Sequence, residues 1–181
     1  MTTSNETQFD PAIGDRLRAR VGEYLEGTHE GRGLRVGIAC SRFNGAVTTR
    51  LLDAALDALD EAGVDRRDVA LAWAPGAFEL PLVAQAFARS VRPVDVVITL
   101  GAVIRGETGH YEVVAGECAR GVQDVQLHSG VPVVFGVLTV NTVEQALERS
   151  QPDPTNKGRE AALTALEMVS VLRQGSLQRS T

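Results

Sequence analysis

At 181 residues and 19.3 kDa the chain is long enough for one domain with a substantial core and short for two. Hydrophobic residues make up 44% and charged residues 23%, an ordinary globular balance, and only 4% are aromatic, so the core must be aliphatic. Eighteen Lys and Arg against 23 Asp and Glu give a net charge of −5, which excludes a broad nucleic-acid surface or an anionic-membrane surface. Two cysteines, Cys40 and Cys118, form neither a disulfide framework nor a metal-ligand spacing, and a reduced, cytoplasmic setting is expected. No apolar run reaches the roughly 18 residues a membrane span requires.

In chain order, Ile13, Leu17, Val21 and Leu25 recur at helical spacing within a polar lead-in, and the Gly27–Gly33 stretch reads as a hinge. Leu34–Cys40 reads as a buried strand. Val47, Leu51, Ala55, Leu56 and Leu59 form one helix stripe, with Gly63 at its C-terminal end. A second strand, Val69–Trp73, precedes a helix opening at Glu79-Leu-Pro81, where proline is tolerated in the first turn. Val94–Leu100 is a third strand, followed by a helix from about Tyr111 to His128. Val131–Leu138 is the fourth strand. A capping box, Thr142-Val-Glu-Gln145, opens a helix to about Ser150, and a last helix follows Asn156-Lys-Gly158. This divides the chain into a polar, partly flexible extension over 1–30, an α/β domain over 31–174 and a frayed tail over 175–181.

Apolar strands alternating with helices imply parallel pairing covered on both faces. The expected fold is a three-layer, doubly wound α/β sheet of four parallel strands flanked by helices. Ligands in such sheets bind beyond the carboxyl ends of the strands, so the segments just after each strand are where function is expected.

After the first strand comes Ser41-Arg-Phe-Asn44. Phe43 can offer a flat face for a planar ring, with Asn44 as helix N-cap, or it can simply fold over the sheet edge. After the second comes Ala74-Pro-Gly-Ala-Phe-Glu-Leu-Pro81. Glu79 there either complements the helix dipole or accepts hydrogen bonds from a polyhydroxylated ligand.

After the third comes Gly101-Ala-Val-Ile-Arg-Gly-Glu-Thr-Gly-His110, whose three glycines expose backbone N–H groups to an anion. It is close to a P-loop, but Glu107 stands where lysine is required, and the dinucleotide pattern Gly-x-Gly-x-x-Gly is absent. A single phosphate remains compatible. His110, at the helix start beside it, is the side chain suited to proton transfer near neutral pH, or else an exposed loop histidine. Beyond the fourth strand, Arg149 reads as a helix C-terminal cation or a bidentate phosphate ligand. Phe135 within that strand reads as core, and both cysteines read as small buried residues.

These motifs, with Pro132-Val-Val-Phe-Gly-Val-Leu-Thr139, Glu144-Gln-Ala-Leu-Glu-Arg149 and Asn156-Lys-Gly158, stand in the order found in lumazine synthases, and the chain resembles that family from about Gly33 to Arg173. The resemblance implies a flavodoxin-like fold in a ring oligomer and a cofactor-independent, metal-free transferase of riboflavin biosynthesis. Its substrates would be the small molecules 5-amino-6-(D-ribitylamino)uracil and 3,4-dihydroxy-2-butanone 4-phosphate. By the same resemblance Phe43 stacks on the pyrimidine, and Ala77, Phe78 and Glu79 line the ribityl chain. The backbone of Ala102, Val103 and Ile104 reads the uracil edge. Glu107 and Thr108 hold the phosphate, Arg149 and Phe135 come from the adjacent subunit, Lys157 lies near the site and His110 transfers protons.

A pentamer is the expected assembly, with a sixty-subunit shell and association with riboflavin synthase as alternatives, and neither nucleic acid nor membrane as partner. One departure stands out. The family's Gly-x-Lys-Ala-Gly-Asn-Lys-Gly linker, associated with packing pentamers into a shell, is here Gln151-Pro-Asp-Pro-Thr-Asn-Lys-Gly158, which puts the shell in question.

Overall fold

The computed structural model describes residues 10–177. Four parallel strands, β1 (Val36–Ser41), β2 (Val69–Ala74), β3 (Val96–Ile104) and β4 (Val133–Val140), lie in the order β2-β1-β3-β4. Six α-helices lie among the described residues: α1 (Pro11–Arg18), α2 (Gly45–Glu61), α3 (Leu80–Ala88), α4 (His110–Ser129), α5 (Val143–Arg149) and α6 (Lys157–Leu172). Val36, Ile38, Ala39 and Cys40 of β1 have no exposed surface. A strand with neighbours on both edges and helices on both faces can afford no polar face.

The core has two halves. Val36, Ile38 and Cys40 pack with Leu51, Leu59 and Leu166 of α2 and α6. Ala39 and Val97 pack on the other face with Leu80, Ala84, Cys118 and Val122 of α3 and α4. The expected three-layer α/β sheet is therefore the observed one. From β1 the chain winds first to β2 and then back across to β3, so the direction of winding reverses between β1 and β3. A crevice opens at the carboxyl ends of strands at such a reversal.

β3 differs from its sequence expectation. It begins at Val96 rather than Val94 and continues past Leu100, because Gly101–Ile104 pair with Val137–Val140 of β4. β1 stops pairing with β3 at Leu100, so β3 and β4 overrun β1 and leave a step beside its end. Ala102, Val103 and Ile104 thus belong to the strand, not to the loop after it. Helix α1 ends at Arg18, leaving Val21 and Leu25 outside it.

The lead-in is not hinged at Gly27 or Gly31. A Cβ on Gly27 would stand 2.4 Å from Glu167 Cγ, and one on Gly31 would stand 2.5 Å from Val64 Cγ2. These glycines permit close approach to the helix layer. Thr28 N–H donates to Ser170 Oγ (3.1 Å), Gln174 Nε2 to the Glu26 carbonyl (2.8 Å) and Gly31 N–H to the Ala62 carbonyl (2.9 Å). Residues 23–31 are strapped over α6 and the end of α2. Residues 1–9 of the expected extension and 178–181 of the expected tail lie outside the described residues. Gly175–Leu177 form a 3-10 turn bonded to Glu23, whose carboxyl is held below its usual range by the Ser176 hydrogen bonds.

No helix among the described residues is long and apolar enough to cross a membrane. Cys40 and Cys118 are both fully buried and free, and burial pushes each thiol up to about 11. At pH 8 only roughly one thiol in a thousand is then thiolate, the reactive form. Iodoacetamide at pH 8 is expected to leave both unmodified in the native protein and to label both in denaturant; labelling of the native protein within minutes would contradict this packing.

Candidate active site

The β1–α2 turn is laced to its neighbours by main-chain bonds. Arg42 N–H donates to the Ala74 carbonyl (2.8 Å) and Phe43 N–H to the Pro75 carbonyl (3.1 Å), joining the ends of β1 and β2. Phe43 does not fold over the sheet edge: it is 70% exposed, and Phe78 is 53% exposed. Two aromatic side chains held at strand ends without burial provide flat, apolar surface for a ring.

Asn44 occupies the N-cap position, but its side chain does not cap α2. Its Nδ2 donates instead to the Ala102 carbonyl at 2.8 Å, bridging the end of β1 to the overrun of β3. After β2, Ala77–Glu79 form a 3-10 turn, Ala77 is buried and Leu80 begins α3. The exposed Glu79 carboxylate lies over Gly76 and makes no capping hydrogen bond, so its acceptors face solvent.

The segment from Arg105 to His110 is exposed throughout. A Cβ on Gly106 or Gly109 would meet nothing within 4 Å, so these glycines answer no packing demand. His110 is the first residue of α4, one residue before the expected start, and its N–H donates to Thr108 Oγ1 at 3.4 Å. Gly109 offers α4 no side-chain cap. The exposed N-terminus of this 20-residue helix is its positive dipole end and suits an anion, with Glu107, Thr108 and His110 around it.

Arg105 fastens the base of this segment. Its Nε donates to Asn141 Oδ1 (3.0 Å), its Nη1 pairs with Glu112, and its guanidinium stacks on Tyr111 at 4.1 Å. Arg105 holds the Glu112 carboxyl below its usual range. Both ends of the segment are thus tied to one side chain. The sequence reading did not single out Arg105, and a cation seven residues ahead of a first-turn glutamate is a faint signal.

Phe135, Arg149 and Lys157 lie elsewhere. They line a groove of about 810 Å³ along β4, walled by α4 and α6, and none of Phe43, Phe78, Glu79 or His110 borders it. Phe135 is not core: it is 38% exposed, because β4 is an edge strand and α4 leaves its outer side open. Arg149 Nη1 donates to the Gln145 carbonyl (3.0 Å) and meets Glu148 at 3.4 Å, a helix C-terminal cation still free on one side. Lys157 pairs with Glu160. One chain therefore brings the strand-end residues together and holds these three apart from them.

A family profile described as 6,7-dimethyl-8-ribityllumazine synthase matches residues 33–173. The chain belongs to the lumazine synthase family. The enzyme of that name from Syntrophus aciditrophicus (strain SB) is 52% identical over 149 residues, covering 82% of this chain and 96% of its own. The chain is accordingly a transferase of riboflavin biosynthesis, as the motifs implied. Membership in the lumazine synthase family carries small-molecule substrates and association with further copies of the chain.

The profile spans every candidate residue from Phe43 to Lys157, while α1 and the strap to Gly31 lie outside it. The departing linker closes on itself. Asp153 Oδ1 accepts from Thr155 N–H (2.7 Å), and buried Asn156 donates from Nδ2 to the Gln151 carbonyl (2.8 Å) while capping α6 at Gly158 N–H (2.8 Å).

Proposed function

We propose that the chain condenses 5-amino-6-(D-ribitylamino)uracil with 3,4-dihydroxy-2-butanone 4-phosphate to form 6,7-dimethyl-8-ribityllumazine, releasing phosphate and water. The observation that carries the site assignment is the division of one residue set between two places in a single chain. The strand-end cluster has stacking, hydroxyl-binding and anion-binding groups, but the cation at its phosphate segment, Arg105, is already paired with Glu112, whereas the β4 groove holds Arg149 and Lys157. A site between two copies, the strand ends of one against the β4 groove of the next, unites them. Such a contact joins unlike surfaces and is heterologous, and it closes into a ring when the rotation permits. A ring of five is the assembly this reading takes. Sedimentation distinguishes it, at about five times the 19.3 kDa chain mass, from a sixty-subunit shell or a complex with riboflavin synthase.

In this site the pyrimidine stacks on Phe43 and Phe135 of the adjacent copy, with its edge along the backbone of Ala102, Val103 and Ile104. The ribityl hydroxyls donate to Glu79 beside Ala77 and Phe78. The phosphate sits on the α4 N-terminus with Glu107 N–H and Thr108, closed by the adjacent Arg149 near Lys157. The primary amine attacks the ketone carbonyl, whose oxygen takes up protons and leaves as water. Loss of a carbon-bound proton next to the new C=N bond expels phosphate and leaves an enol, which takes a proton on carbon to become a ketone. The ribitylamino nitrogen adds to that ketone and closes the ring with loss of water. Each step moves protons and none transfers electrons to or from a cofactor. His110 gives and takes those protons.

Holding two reactants in one geometry supplies much of the acceleration, so His110→Ala is expected to lower kcat/KM by about 10- to 100-fold rather than abolish activity. Product fluorescence with both substrates measures this, and an unchanged value would remove His110 from the role. No signal above the uncatalysed reaction from the wild type would overturn the proposal itself. Arg105→Ala, which frees both ends of the phosphate segment, is expected to raise KM for the phosphorylated substrate about tenfold with KM for the pyrimidine unchanged. Equal rises in both would show a broader distortion.

A further inference from the structure

We infer that Asn44 is a positioning residue that fixes the Phe43 ring over the step between β1 and β3, an inference that rests on the site proposed above. Three observations converge. Asn44 is the only non-glycine residue at positive φ among the described residues, at φ 58° and ψ 40°. Left-handed backbone at a side-chain-bearing residue persists only where its surroundings hold it, and such positions cluster at functional sites.

Asn44 also stands at the N-cap of α2, where an asparagine side chain ordinarily accepts a hydrogen bond from the first helical turn. This one does not. Its carbonyl alone opens the helix, accepting from Val47 N–H (2.9 Å) and Thr48 N–H (3.1 Å). The carboxamide reaches across to the Ala102 carbonyl instead (2.8 Å). Ala102 lies beyond Leu100, where β1 has stopped pairing with β3. The amide replaces the missing rung of the sheet at that step.

Phe43 sits between fixed points on both sides. Its N–H is bonded to the Pro75 carbonyl, its own carbonyl accepts from Ser41 Oγ at 3.3 Å, and the next residue is tied to β3. The ring itself is 70% exposed, so packing contributes little to its placement. Its position is set by the backbone, and the backbone on the β3 side is set by the Asn44 amide. A stacking surface that is already in place when the ring arrives avoids the ordering cost that a mobile one incurs on binding. The same bond occupies the Ala102 oxygen, and among the described residues no side chain donates to the carbonyl of Ile104, the next overrun residue on the β1 side.

Asn44→Gly separates the two properties, because glycine adopts the left-handed backbone without strain but has no amide. Asn44→Asp keeps size and left-handed tolerance while turning a carboxylate oxygen toward the Ala102 carbonyl. With purified full-length assemblies of unchanged sedimentation and melting temperature, both variants are expected to raise KM for the pyrimidine about tenfold. kcat should change less than threefold and KM for the phosphorylated substrate not at all. A purely structural role would lower melting temperature or move both KM values together, and either result overturns the inference, as does an unchanged pyrimidine KM.

A readout without substrate keeps this test apart from the proposed reaction. Fluorophenylalanine-labelled protein, with the Phe43 line assigned by its loss in Phe43→Leu, is expected to show a dispersed signal in the wild type. Asn44→Gly should shift that signal toward the solvent-averaged position. If the wild type forms no lumazine, the reaction is wrong but this comparison still decides the tether. Identical Phe43 lines in wild type and Asn44→Gly overturn it.

Discussion

Mixed rings assembled from equal amounts of Arg149→Ala and the double variant Phe43→Ala/His110→Ala are expected to recover about a quarter of wild-type activity. Neither variant alone should approach it. Arg149→Ala removes a charge-assisted, two-pronged contact to phosphate, worth about 3 kcal/mol, which corresponds to roughly a hundredfold in kcat/KM. The recovery follows from the two locations in the fold. Phe43 and His110 stand at the carboxyl ends of β1 and β3, whereas Arg149 lines the groove on the outer edge of β4 with Phe135 and Lys157. If each site takes its strand ends from one copy and its groove from the next, random mixing gives one site in four with both halves intact.

Co-expression followed by isolation of the mixed assembly provides the sample, and lumazine fluorescence the readout. Activity equal to the average of the two parents would mean that each chain completes its own site. Arg149 would then have to leave the Gln145 carbonyl and Glu148 and travel to the His110 segment of its own chain.

The alternation of strands and helices was legible because a parallel sheet buried on both faces requires apolar runs, and β1, β2, β3 and β4 each carry one. The end of β3 was not. Gly101 reads locally as a terminator, but the pairing of Gly101–Ile104 with β4 carries the strand on, and pairing is a property of two distant segments. The same difficulty hid the exposure of Phe135. An apolar residue in an apolar strand reads as core, and only the strand order reveals that β4 is an edge.

Composition failed at Gly27 and Gly31, where glycine serves close contact with Glu167 and Val64 rather than freedom of motion. Asn44 was a partial success: the residue type marked the helix start correctly, but its side chain bonds Ala102 instead of the helix. The residues of the candidate site were found by motif, and their physical reading alone left each open between function and bland structure. What sequence could not supply was the partition of that set within one chain.

Gly158→Ala is expected to be the most destabilising single methyl in the fold, costing about 4 kcal/mol and lowering Tm by roughly 10 °C for a chain of this size. A Cβ there would stand 1.9 Å from the Leu51 carbonyl oxygen and 2.5 Å from its carbon, both backbone atoms of α2 that cannot rotate aside. Relief requires the first turn of α6 to withdraw from α2. The contact it would open is lined by Ala55, Ala161, Ala162 and Ala165, all at most 4% exposed, and alanines have no length with which to refill a gap.

Withdrawal would also carry Lys157 and the Asn156 cap with it, so the β4 groove should change shape and activity should fall even in the folded fraction. Gly116→Ala is the matched control. It adds the same methyl within α4, where nothing lies within 4 Å, and helix propensity alone predicts a gain of about 0.5–1 kcal/mol. Thermal melts of the two variants therefore move in opposite directions if backbone contact between α2 and α6 sets their spacing. A Gly158→Ala variant melting within 2 °C of wild type, by roughly the conversion used above, would mean that α6 can shift freely. The groove and the linker at Gln151–Thr155 would then have no fixed seat on the sheet.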